Sequence, residues 1–203
     1  MGGHAAGEVA SAMAIETIAS LATGDVMSVE QLTEAVRRAN LAINDRAAIE
    51  PEKHGMGTTL TVLTLSRTDL SYRIAHVGDS RAYLFRDDRL QQLTHDHTWV
   101  QLQVDAGLMS PQQARRHPRS NVITRSLGFD PAVEPDLETG DLRAGDLLLL
   151  CSDGLTGMLE DAEIAALMST HADLHHLAGG LIDAANLRGG TDNITLLLIR
   201  ISA

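Results

Sequence analysis

The sequence predicts an α+β fold in which helices and antiparallel strands form layers. Three observations carry that prediction. Helical spacing of apolar residues fills the region before Pro51, and strand-type alternation takes over near residue 58. Beyond that, strands and helices interleave without the regular βαβ alternation of a parallel sheet.

Residues 5–22 are Ala-rich and predict a first helix. Ser28 and Gln31 have the spacing of a capping box, which opens a second helix. Leu32, Ala35, Val36, Ala39, Ile43 and Ala47 place one apolar face on it, and Pro51 ends it. EPEKHGMG follows as a loop. TTLTVLTLS (58–66), SYRIAHV (71–77) and RAYLF (81–85) read as strands joined by short polar connectors, an antiparallel meander. Ser110, Pro111 and Gln113 start a short helix, Pro111 taking the favoured first position. It lies within residues 94–135, rich in His, Arg, Pro and Gly and weak in periodicity, which predicts surface excursions. The apolar run of GDLLLLCSDG is bounded by glycines and reads as a strand buried on both faces. Residues 160–168 and 174–187 predict helices, the second closed by Gly189 and Gly190, and TLLLIRIS is a final strand.

Composition narrows the function classes. At 203 residues the chain suits a single domain able to bury a full core. Aromatics make up only 2%, so that core is built mainly from Ala, Leu, Val, Ile and Met. A net charge of −11 argues against nucleic acid, whose binding depends on Lys and Arg neutralising phosphates. It also repels phosphorylated substrates unless a bound cation reverses the local field. Cys151 is the only cysteine, so no intramolecular disulfide forms, and its apolar setting marks it as a core residue rather than a nucleophile. There is neither a signal-peptide pattern nor an apolar run approaching the ~20 residues of a membrane span, which predicts a soluble cytoplasmic protein.

Asp79 in HVGDSR, Asp153 in LLCSDGL and Asp192 in GGTDNIT each stand where an apolar strand meets the next element. Taken singly, each reads as a turn or cap aspartate. Taken together, carboxylates leaving strand ends beside flexible backbone can converge on a hard divalent cation. His4 follows Gly2 and Gly3, where backbone can approach a ligand closely. It reads either as a tail histidine or as a general acid beside an activated water. The other histidines, His95, His97, His175 and His176 among them, lack a metal-ligand pattern and read as solvated or structural.

GMGTTLTVLTL, HVGDSRAYLFRDDRLQQLTHDHTWVQ, NVITRSLG, LLLLCSDGL and GGTDNITLLLI occur in that order across nearly the whole chain. Together with the opening GGHAAGEVAS, they resemble the PPM family of type-2C, metal-dependent Ser/Thr protein phosphatases, in its compact bacterial form. The resemblance implies two antiparallel sheets packed as a sandwich and flanked by helices. It implies hydrolysis of phosphoserine and phosphothreonine in proteins, through a water activated by a binuclear Mg²⁺ or Mn²⁺ centre. Asp153 and Asp192 match carboxylates of that centre. Asp79 matches the aspartate of a third, weaker metal site, to which Asp153 also contributes, and His4 matches the general acid. Residues 104–125 match a mobile flap beside the active site. The implied partners are phosphoprotein substrates, including those of Ser/Thr kinases.

The resemblance also sets an expectation about the N-terminus. In the family, the Met-Gly-Gly-His turn follows a strand ending in Asp-Gly, which supplies a bridging metal ligand, and Met1 here takes the Met of that motif. Residues 1–203 are therefore expected to form a single phosphatase-like domain lacking its first strands, with a weakened metal centre and little turnover on its own. Two further readings stand beside a complete phosphatase begun at an internal Met. One is an impaired or inactive module that binds phosphoproteins or a partner strand; the other is a divalent-ion-binding α+β protein without catalysis.

Overall fold

The computed structural model describes residues 4–22, 26–170 and 173–202, with the side chains of residues 4 and 5 outside that description. The chain divides into two compact units, one of residues 1–78 and 96–140 and the other of residues 79–95 and 141–203.

In the first unit, α1 (His4–Leu21) and α2 (Val29–Ile49) share a core with strand residues. Ala6, Ala10, Ala14 and Ile18 repeat every fourth position and are buried, so α1 presents a stripe of three alanines and an isoleucine to that core. The Ser28–Gln31 capping box forms as the spacing predicts. Ser28 Oγ accepts the Gln31 N–H, and Gln31 Oε1 accepts the Ser28 N–H at 2.8 Å. The buried face of α2 is the expected one with Asn40 added. Asn40 is wholly buried because its amide is fully used. It donates to the carbonyls of Asp130 (2.7 Å) and Pro131 (3.1 Å) and accepts the Gly128 N–H (2.8 Å), pinning a loop to the helix. A single 3₁₀ turn, Pro51–Lys53, then leads into β1 (Leu60–Ser66) and β2 (Ser71–Val77), an antiparallel pair.

The predicted meander stops at β2. Strand β3 (Arg81–Arg86) pairs with β4 (Arg89–Gln92) and not with β2. The physical reason lies at Gly78, whose φ of +119° turns the chain out of the first sheet. A Cβ there would lie 2.4 Å from Thr59 Cγ2, so only glycine fits. Strand β4 follows a two-residue turn at Asp87 and Asp88, both at positive φ, as a type I′ hairpin requires. Within residues 94–135, helices α3 (Trp99–Asp105) and α4 (Pro111–Arg115) form among largely exposed positions. Strand β5 (Asp136–Asp141) joins the first sheet, in the order β1-β2-β5.

The second unit holds β6 (Leu147–Cys151), the short helix α5 (Asp153–Thr156), α6 (Asp161–Thr170), α7 (Leu174–Leu187) and β7 (Leu196–Arg200). Its sheet runs β4-β3-β6-β7 and is antiparallel throughout. Strand β6 is buried along nearly its whole length, as its continuous apolar run predicts, and Cys151 is a core residue. Tyr83, Leu149, Leu155, Ile164, Leu177 and Leu181 form the centre of this unit's core. Among the described residues, no helix is long and apolar enough to cross a membrane.

Candidate metal centre and its supports

The strand register brings the three candidate aspartates to one end of the second unit's sheet. Arg81 of β3 pairs with Cys151 of β6, and Cys151 pairs in turn with Leu196 of β7. Asp79 lies two residues before Arg81 and Asp153 two residues after Cys151, so antiparallel continuation puts them at the same edge. Asp192 precedes β7 at that edge. Asp79 is 8% exposed, whereas Asp153 and Asp192 are open to solvent.

Asp153 and Asp192 are linked through Ser152. The Ser152 N–H donates to the Thr195 carbonyl at 3.0 Å, extending the β6–β7 ladder by one pair. Its Oγ donates to the Asn193 carbonyl and accepts the Thr195 N–H, each at 3.1 Å. Gly154 completes the contact, since a Cβ there would lie 2.3 Å from the Asn193 carbonyl oxygen. The backbone flanking Asp153 thus presses directly on the backbone following Asp192. Asp192 Oδ1 also accepts the Asn193 N–H at 2.7 Å, which fixes its carboxylate against the loop.

Among the described residues, no three His, Cys, Asp or Glu side chains stand close enough to hold a metal ion by themselves. The sheet gathers the three carboxylates at one edge without closing a complete ligand sphere. That donor set still suits Mg²⁺ or Mn²⁺. These hard cations take oxygen ligands, and Mg²⁺ is commonly held by one or two carboxylates with water in its remaining positions. The other predicted site residue, His4, begins α1, and its side chain lies outside the described residues.

Two histidines that the sequence reading left as solvated or structural prove to be deeply buried. His76 and His97 are 1% and 5% exposed, with ring centroids 4.9 Å apart. Gly78 stands between them. Its N–H donates to His97 Nδ1 (3.0 Å), and its carbonyl accepts the His97 N–H (2.7 Å) and His76 Nε2–H (3.0 Å). Those partners place the His76 proton on Nε2, and Nδ1 then accepts from Thr61 Oγ1 at 2.9 Å. Burial, reinforced by the neighbouring His97, lowers the His76 pKa to about 4, so the ring is neutral at physiological pH. On its far side, His97 Nε2 approaches Asp136 Oδ2 to 3.1 Å, an electrostatic contact rather than an aligned hydrogen bond. Arg125 pairs with the other Asp136 oxygen. Burial alone would raise the Asp136 pKa, but the His97 and Arg125 partners hold it below the usual carboxylate range. The sequence signal was available in part: HVGDS and HDHT each put a histidine near a strand end.

Comparison with known proteins shows the family and the fold. The chain is 42% identical over 203 residues to the serine/threonine protein phosphatase PstP of Mycobacterium tuberculosis strain H37Rv, covering 98% of this chain and 38% of that protein. It is 38% identical over 205 residues to the serine/threonine phosphatase stp of Listeria innocua, covering 98% of this chain and 81% of that protein. The chain therefore spans about two-fifths of the PstP protein and about four-fifths of the Listeria one. The crystal structure of M. tuberculosis PstP/Ppp superposes with a TM-score of 0.91 at 40% identity, covering all of this chain and 86% of that one. The PstP catalytic domain in complex with two manganese ions superposes with a TM-score of 0.89 at 39% identity, covering all of this chain and 85% of that one. The α+β architecture with two antiparallel sheets is the architecture of these phosphatases. The protein phosphatase 2C profile matches residues 1–188, and the chain belongs to that family.

Proposed function

We propose that this chain carries out metal-dependent hydrolysis of phosphoserine and phosphothreonine in proteins, including the products of Ser/Thr kinases, as part of one phosphatase domain. The observation that carries the reading is the shared sheet edge of Asp79, Asp153 and Asp192, with Ser152 and Gly154 locking the last two segments together. Divalent cations bound there supply an activated water and neutralise charge on the phosphoryl group. Asp153 and Asp192 would hold the cations through their carboxylate oxygens, with Asp79 and Asp153 serving a third, weaker site. Solvent exposure of Asp153 and Asp192 leaves room for a phosphate ester, and Ser152 keeps them from drifting apart. His4 protonates the departing serine or threonine oxygen, a role assigned from its motif, and such a step contributes about 10²–10⁴ in rate. The acidity of the chain accords with the reading, because bound cations reverse the field where the phosphate must sit. A module that only binds phosphoproteins gains no support from relatives named as phosphatases.

The test pairs Mn²⁺ calorimetry with hydrolysis of a phosphothreonine peptide. Mn²⁺ binding to the wild-type chain, weakened at least about tenfold by Asp153→Asn, is the expected result; that factor is the loss of about 1.4 kcal/mol. Turnover by the wild-type chain is expected to be low, to require Mn²⁺ and to vanish in the same variant. A wild-type chain that binds no Mn²⁺, or an Asp153→Asn chain that binds it as tightly as wild type, would overturn the assignment.

A further inference from the structure

We propose that the first unit carries a separate recognition site for a basic side chain of a polypeptide, in the cleft formed by residues 123–136. The cleft encloses about 590 Å³ and includes Arg125, Ser126, Phe129, Asp130, Glu134 and Asp136 in its lining. Two independent features make it a binding site.

The first is charge. Asp136 is neutralised by Arg125, and Glu134 by Arg37, whose guanidinium reaches both of its oxygens at 2.7 and 2.8 Å. Asp130 has no cationic partner among the described residues. One of its oxygens accepts the Ala132 N–H at 2.8 Å, and the residue is exposed and lines the cleft. The cleft thus carries one negative charge in excess, on a carboxylate whose backbone Asn40 already holds in place. The second feature is Ser126. It is only 6% exposed, yet its hydroxyl makes no hydrogen bond with any described residue. Ser126 lines the cleft, so an occupant can use the unspent bonding capacity of that hydroxyl.

Phe129 defines the shape of the occupant. Its ring packs over Gly57, where an added Cβ would lie 2.7 Å from the ring, while the residue remains 55% exposed. An aromatic face fixed beside an unpaired carboxylate suits an arginine or lysine, whose alkyl stem covers the ring while its cationic head meets the acid. The Ser126 hydroxyl is then free to bond the peptide backbone. Polypeptide as the occupant rests on the phosphoprotein reading above; the charge preference does not.

The experiment uses an unphosphorylated acetylated pentapeptide with a central arginine, and the same peptide with citrulline, titrated into the ¹⁵N-labelled chain without metal. Lacking phosphate and metal, it reads the cleft independently of any hydrolysis. Shifts should concentrate at Ser126, Phe129 and Asp130. The arginine peptide should bind roughly fivefold more tightly than the citrulline one, the scale of an exposed ion pair, and the difference should shrink with added salt. Asp130→Asn retains an acceptor for the Ala132 N–H and should abolish the discrimination. Ser126→Ala should weaken both peptides while preserving it. Equal binding of the two peptides, discrimination that survives Asp130→Asn, or no shifts in the cleft at millimolar peptide would each overturn the proposal.

Discussion

His97 and Gly78 are hydrogen-bonded to each other twice, ring to backbone and backbone to backbone. The Gly78 N–H donates to His97 Nδ1 at 3.0 Å, and the His97 N–H donates to the Gly78 carbonyl at 2.7 Å. Replacing His97 by Ala removes the side-chain half and leaves a buried backbone donor without its acceptor, together with a cavity beside His76. The expected loss is about 1–3 kcal/mol of stability. His97→Asn, whose Oδ1 can stand near the position of Nδ1, should recover part of it. Urea unfolding of the three chains checks this: the midpoint should shift with the slope unchanged. An Ala variant as stable as wild type would refute the bridge.

His76 makes stability depend on pH. Its pKa falls from 6.5 to about 4 on folding. Above 6.5 the ring is neutral in both states, and its contribution to stability is fully present. Between 6.5 and 4 the unfolded chain takes up a proton that the folded chain refuses, so stability falls as pH falls. Below about 4 both states are charged and this contribution levels off. The full excursion is worth about 3 kcal/mol. Asp136 also has a depressed folded pKa and loses its contribution at lower pH, so the His76 part is isolated by difference. Unfolding measured from pH 7 to pH 4 should be less pH-dependent in His76→Gln than in wild type.

The second unit contains a buried ion pair that is strong for a different reason. Asp146 is 2% exposed, and Arg86 donates to both of its oxygens, at 2.8 and 2.6 Å. The Arg143 N–H adds a third bond at 2.6 Å. Burial opposes ionisation of Asp146, but Arg86 and Arg143 together hold its pKa below the usual carboxylate range. Arg86→Ala strands a buried carboxylate, and the expected cost is about 3 kcal/mol. Replacing Asp146 by Asn in the same chain removes the stranded charge and should return part of that loss. Thermal unfolding of both variants at neutral pH decides it, and a double variant no more stable than Arg86→Ala would contradict the account.

The parts of the fold legible in the sequence are those fixed by local pattern. The α2 capping box, the buried face of that helix, the span of α7 and the buried β6 all follow from spacing and composition. What local pattern could not carry was partnership. SYRIAHV and RAYLF read as neighbours in one meander because only three residues separate them, yet Gly78 turns the chain between sheets. Strand β5 was hidden because it is mostly exposed and reads DLETGD, with few residues of strand preference. At the candidate site, strand ends revealed the aspartates, but the bond from Ser152 to residues 193 and 195 spans some forty positions and has no local signature. The same applies to His97, whose partners Gly78 and Asp136 lie far from it along the chain.

Two glycine-to-alanine substitutions separate close packing from backbone freedom. Gly154 opens α5 against Asn193, and an added Cβ would sit 2.3 Å from a carbonyl oxygen that cannot move without disturbing the loop of Asp192. Gly154→Ala should therefore cost about 1–3 kcal/mol in stability and weaken Mn²⁺ binding as well. Gly179 lies in the interior of α7 with nothing within 4 Å of its would-be Cβ. There the methyl group meets no obstacle, and alanine restricts the unfolded chain, so Gly179→Ala should gain about 0.5–1 kcal/mol. Thermal unfolding should move the two variants in opposite directions, and calorimetry should find Mn²⁺ affinity altered only in the first. Retained Mn²⁺ affinity in a destabilised Gly154→Ala chain would mean that the contact supports the fold without setting the carboxylates.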